Sequence, residues 1–108
     1  MNWRVLSSAH ELEQLIAASH SLPQLIFKHS TTCNISAVAK ARLDKALQPT
    51  TVFFHYLDLL KHRNLSNNIA TLFDVAHESP QVLLIKNGKC IYNESHLGIY
   101  MDEILEQA

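Results

Sequence analysis

Asn87-Gly88 separates two short runs, Gln81 to Lys86 and Lys89 to Asn93, and fixes how they meet. A two-residue turn of this kind wants positive φ at both positions, which Asn and Gly tolerate, so the flanking runs form an antiparallel hairpin. The chain upstream follows a different rule. Trp3-Arg4-Val5, Gln24 to His29 and Thr51 to Asp58 read as strands, the last rich in β-branched and aromatic residues, and each precedes a stretch whose apolar residues recur at helical spacing. An order of βαβαβα followed by ββα therefore implies an α/β fold with a mixed central sheet: crossover helices bury the inner strands and the hairpin closes one edge.

The helices have their own signals. Ser8-Ala9-His10-Glu11 has the spacing of a capping box, and Leu12, Leu15 and Ile16 then line one face before Pro23. Ile35, Val38, Ala39, Leu43, Ala46 and Leu47 predict the core stripe of a second helix that Pro49 stops, and Leu65, Ile69, Leu72 and Phe73 that of a third. Leu97, Tyr100, Met101, Ile104 and Leu105 predict a last helix running to the C-terminus. With 108 residues, 47% of them apolar, the chain reads as one domain over residues 1–108 around a single core.

Composition removes several function classes. The formal net charge is −1 and the nine Lys and Arg are scattered, so no basic stripe is present for a nucleic acid. Apolar runs such as Val82 to Ile85 stop at four residues, far short of a membrane span, and no h-region follows Met1-Asn2-Trp3-Arg4. The expected location is the cytoplasm. Two cysteines far apart, Cys33 and Cys90, match no zinc spacing and no secreted disulfide framework. Of the seven histidines, only His29 stands four residues from a cysteine, and the pair straddles a strand end and a turn.

Cys33 sits where the strand ending at His29 meets the second helix, in a turn where Thr31 and Thr32 are the expected caps. A thiol in the first turn of a helix lies beside unpaired amides and the positive end of the macrodipole, both of which favour the thiolate. Three residues on, Ser36 occupies the position of a resolving cysteine. A serine can donate a hydrogen bond to a thiolate but forms no disulfide, so exchange must run through one protein thiol. His77-Glu78-Ser79-Pro80 lies immediately before a strand, where proline has no N–H to give to the ladder.

The element order with a cysteine at a helix mouth is the thioredoxin-like arrangement. Phe27-Lys28-His29-Ser30-Thr31-Thr32-Cys33, Ile35-Ser36, Ser66-Asn67, His77-Glu78-Ser79-Pro80-Gln81-Val82, Asn87-Gly88-Lys89 and Ser95-His96 together resemble the monothiol bacilliredoxins. That resemblance implies a cis Pro80, with the backbone of Ser79 offered to a bound peptide or thiol. It implies reduction of protein mixed disulfides with bacillithiol, a cysteinyl-glucosaminyl-malate thiol, with Cys33 as nucleophile and a second small thiol resolving. The partners would be S-thiolated client proteins and the small thiol as co-substrate, without a bound cofactor or metal. The family usually has proline after the cysteine, where this chain has Asn34.

Other residues are weaker candidates. Lys28 and His29 are placed to offer positive charge to the thiolate or to carboxylates of the small thiol, although strand alternation points them to opposite faces. Arg63 has the reach for a carboxylate, and His77 reads as a polar contact or a general acid for the leaving thiol. Glu78 is expected to face solvent, and Cys90 to be packing. Two further functions are compatible with Cys33: a [2Fe-2S] carrier resembling monothiol glutaredoxins, which have Gly-Phe where this chain has Asn34-Ile35, and a thioredoxin-like redox sensor or adaptor.

Overall fold

The computed structural model describes residues 1–108. Its elements are β1 (Arg4–Val5), α1 (Ala9–Ala18), β2 (Gln24–His29), α2 (Asn34–Lys45), β3 (Phe53–Asp58), α3 (Arg63–Phe73), β4 (Gln81–Lys86), β5 (Lys89–Ser95), a 3-10 turn at His96–Gly98 and α4 (Met101–Gln107). One five-stranded sheet has the order β1-β3-β2-β4-β5. β1 and β2 run parallel to β3, while β4 is antiparallel to both β2 and β5. The Asn87-Gly88 turn has φ of 52° and 76°, as the hairpin requires. Ser8 caps α1 by accepting from the Glu11 amide at 3.1 Å, and the Glu11 carboxylate reaches back to the Ser7 amide at 2.9 Å.

The sheet separates two apolar layers. Leu25, Phe27, Phe54, Val82 and Leu84 pack on one side against Ala39 and Leu43 of α2 and Met101 and Ile104 of α4. Ile26, Leu57, Leu83 and Ile85 face the other way, against Leu12 and Leu15 of α1 and Leu65 and Ile69 of α3. β2 is buried along its whole length because helices cover both faces and strands flank both edges.

Three helical stripes differ from the sequence expectation. The buried face of α2 is Ser36, Ala39 and Leu43, whereas Ile35 and Val38 are 41% and 45% exposed. The helix also ends at Lys45, so Leu47 lies beyond it, 93% exposed. Small residues at 36 and 39 let the helix sit close to the sheet, which rotates the two larger side chains outward. Leu72 is exposed on α3, and Ser66 takes a place on its buried face. The C-terminal stripe is interrupted: a 3-10 turn precedes α4, which buries Met101 and Ile104 and leaves Leu97, Tyr100 and Leu105 outside.

Candidate active site

Cys33 is itself the N-cap of α2, with an extended backbone at φ −107° and ψ 123°. Its N–H donates to the Ser30 carbonyl at 3.2 Å and its carbonyl accepts from Ala37 N–H at 3.0 Å, which joins the turn after β2 to the first helical turn. Thr31 and Thr32 do not cap the helix: both are exposed, and Thr32 Oγ1 lies 3.4 Å from Ser30 Oγ. The thiol is half-buried. No acidic residue stands in the first turn, and the amides of Asn34, Ile35 and Ser36 have no carbonyl one turn earlier in the helix. Exposed Asn34 keeps an N–H next to the cysteine that a proline there would lack.

Ser36 is fully buried, and its hydroxyl is committed elsewhere than the thiol. Oγ lies 2.6 Å from His29 Nδ1 and accepts from the Ser30 amide at 3.0 Å. It makes no hydrogen bond to Cys33, contrary to expectation, because the end of β2 already claims it. His29 stacks between Phe27 and Tyr56, both 5.5 Å away between ring centroids. Loss of hydration, helped by Lys40 and opposed by Asp58 and Asp44, holds its imidazole below the ordinary range. A neutral His29 thus pins the start of α2 to the strand beneath it. Strand alternation had placed His29 opposite Lys28, but its serine partner seven residues on gave no local signal.

The second part of the site comes from the loop between α3 and β4. Ser79-Pro80 is cis, as the resemblance implied. Lys28 pairs with Gln81 across β2 and β4, so continuing the antiparallel register sets Pro80 beside His29 and Ser79 beside Ser30. The turn that carries Cys33 and the cis-proline loop are therefore neighbours at one end of the sheet. The Ser79 N–H and C=O enter no backbone hydrogen bond, and its Oγ is buried without a partner. His96 N–H donates to the Pro80 carbonyl at 2.9 Å, and its ring lies 3.0 Å from Glu78, holding this loop to the end of β5. Sequence reading did not single out His96.

Lys28 is a correction. It is 0% exposed, so it cannot touch a bound molecule. Its Nζ donates to the Ser66 carbonyl at 3.1 Å and lies 3.3 Å from His77 Nδ1, tying β2 to α3 and to the cis-proline loop. Burial lowers Lys28 to about 8. His77 is exposed, and partial burial followed by the charges of Lys28 and Arg63 lowers it, against the opposing pull of Glu78. Arg63 opens α3, exposed and without an ion pair, beside Lys61, Ser7 and Ser8 in a polar crevice of about 440 Å³.

Cys90 lies away from this end of the sheet. It faces Ile85 across the hairpin, four residues up β4 from Gln81, so about 13 Å of strand separates it from the site end. A disulfide needs Cα atoms within about 7 Å. No group of three or more His, Cys, Asp or Glu side chains is placed to hold a metal ion.

Residues 4–104 match the family model described as monothiol bacilliredoxin BrxC. The chain belongs to the monothiol bacilliredoxin family. A solved thioredoxin-fold protein is 34% identical, with 95% of this chain and 90% of that one covered and a TM-score of 0.84. Thioredoxins of Malassezia sympodialis (15% identical, TM-score 0.79, 98% and 90% covered) and Trypanosoma brucei brucei (13%, 0.80, 97% and 88%) share the fold at much greater distance. The bacilliredoxin is thus a thioredoxin-fold member of a thiol-disulfide oxidoreductase family. None of its helices is long and apolar enough to cross a membrane.

Proposed function

We propose that this bacilliredoxin removes small thiols from S-thiolated client proteins by monothiol exchange, with bacillithiol as the co-substrate. The carrying observation is Cys33 as N-cap of α2 beside the cis-proline loop, with buried Ser36 where a second thiol would stand. The Cys33 thiolate attacks the small-thiol sulfur of the mixed disulfide. The old S–S bond breaks, its electron pair leaves with the client sulfur, and that sulfur is protonated. Cys33 is left bound to the small thiol. A second small thiolate attacks that bond, freeing Cys33 and forming the symmetric small-thiol disulfide, so the reducing electrons come from two small thiols.

The free backbone of Ser79 supports docking of the substrate's extended part. Thr32 and Asn34, exposed on either side of Cys33, flank the sulfur, and Arg63 offers a cation from the same end of the sheet. The test uses one purified client carrying either bacillithiol or glutathione. Wild-type protein is expected to release the client thiol faster from the bacillithiol adduct, and Cys33→Ser to release none. Full release by Cys33→Ser would end the assignment, and equal rates for both adducts would remove bacillithiol as the preferred thiol.

A further inference from the structure

Lys28 is the only lysine withdrawn wholly from solvent. An ammonium has three N–H donors and no acceptor, so in its 3.3 Å contact with His77 the imidazole Nδ1 must accept. The Ser66 hydroxyl stands 3.3 Å from the same nitrogen. Nδ1 then carries no proton, and the single proton of the neutral ring sits on Nε2. His77 is exposed on the loop that leads into Ser79-Pro80, the loop whose backbone register lies beside Ser30 and the turn of Cys33.

We propose that Lys28 and His77 form a proton relay to the departing sulfur, with His77 Nε2–H as the group that meets it and Lys28 as the positioning residue that supplies the proton from behind. This rests on the exchange reading given above. As Cys33 bonds to the small-thiol sulfur, the client sulfur leaves with the electron pair of the broken S–S bond. It takes the Nε2 proton while Nδ1 takes one from the Lys28 ammonium, which becomes a neutral amine. Solvent then returns a proton to Nε2 and Nδ1 gives its own back to Lys28. The relay itself is neither oxidised nor reduced.

Lys28 is necessary because a neutral imidazole that gave up its Nε2 proton alone would become an anion. The energies also match: burial brings Lys28 to about 8, close to an ordinary thiol at about 8.5, so transfer between them is not far uphill. Partial burial first, then the charges of Lys28 from β2 and Arg63 from α3, lower His77, against Glu78 from the loop itself.

Nitrogen-15 spectra of His77 and single-turnover reaction of Cys33 with two symmetric disulfides test the relay. Bis(hydroxyethyl) disulfide has a basic leaving thiolate that needs a proton, whereas dithiobis(nitrobenzoate) has an acidic one that does not. Wild-type protein should show the Nε2–H tautomer, and Lys28→Met should raise the His77 titration midpoint. In both Lys28→Met and His77→Gln, the ratio of the hydroxyethyl rate to the nitrobenzoate rate should fall about tenfold or more. An Nδ1–H tautomer in the wild type, or equal slowing with both disulfides, would overturn the relay. Should Lys28→Met not fold, the wild-type spectrum and His77→Gln decide. The Cys33→Ser assay tests the parent reading separately.

Discussion

Replacing Ser36 by alanine should cost more stability than any surface change near the site, and the amount can be divided between its two partners. The hydroxyl is fully buried and serves His29 Nδ1 at 2.6 Å and the Ser30 amide at 3.0 Å. Ser36→Ala leaves both groups without a partner where water does not reach. An orphaned buried polar group costs about 1–3 kcal/mol, so a total of about 2–6 kcal/mol is expected. His29→Phe keeps the ring packed between Phe27 and Tyr56 but removes only the first bond, and should cost about 1–2 kcal/mol. The difference between the variants measures the bond to the Ser30 backbone. Urea unfolding reads it directly: at a slope of about 2 kcal/mol per molar, Ser36→Ala should lower the midpoint by roughly 1–3 M. If the two variants agree within about 0.5 kcal/mol, the Ser30 amide does not depend on Ser36 and the account of how α2 is pinned is wrong.

Two other expectations concern groups away from the thiol. His55 is buried with Nε2 2.7 Å from Gln24 Oε1, and burial, then Arg4, lowers it to about 4. The unfolded chain therefore binds this proton first: the contribution is complete above about pH 6.5 and is lost as pH falls toward 4, by up to about 3 kcal/mol. Urea midpoints near pH 7 and about pH 4.5 should converge in His55→Gln relative to the wild type, and an unchanged pH slope would refute this. Cys90, whose thiol burial pushes up, should be dispensable. Cys90→Ala is expected to retain thiol release, and intact mass of oxidised wild-type protein to show no internal disulfide; an internal Cys33-Cys90 bond would contradict the strand geometry.

The element order, the hairpin and the cysteine at a helix mouth were legible because each is a local pattern. Asn87-Gly88 needs only its own two φ angles, and the position of Pro80 follows from its missing donor. Periodicity misassigned Ile35 and Val38 because it counts apolar residues, whereas the buried face of α2 is chosen by close approach and by a serine that satisfies a backbone amide. The burial of Lys28 was beyond local reading for a similar reason. A buried ammonium is tolerable only with acceptors, and those come from Ser66 and His77, 38 and 49 residues further along. The thioredoxin-like arrangement supplied the cis proline, which no propensity in Ser79-Pro80 alone would have required.

The two apolar layers give the site an unequal mechanical footing. Cys33 rides on α2 and so on the layer shared with α4, while Ser66 and its link to His77 belong to α3 and the opposite layer. β2 is the common wall, and its adjacent residues Lys28 and His29 reach one into each half. Local openings of a protein tend to follow such packed units. An opening of the α1 and α3 side would part His77 from Lys28 and Ser66, while the bond from His96 to Pro80 kept the cis-proline end of the loop in place and Cys33 kept its position at the start of α2.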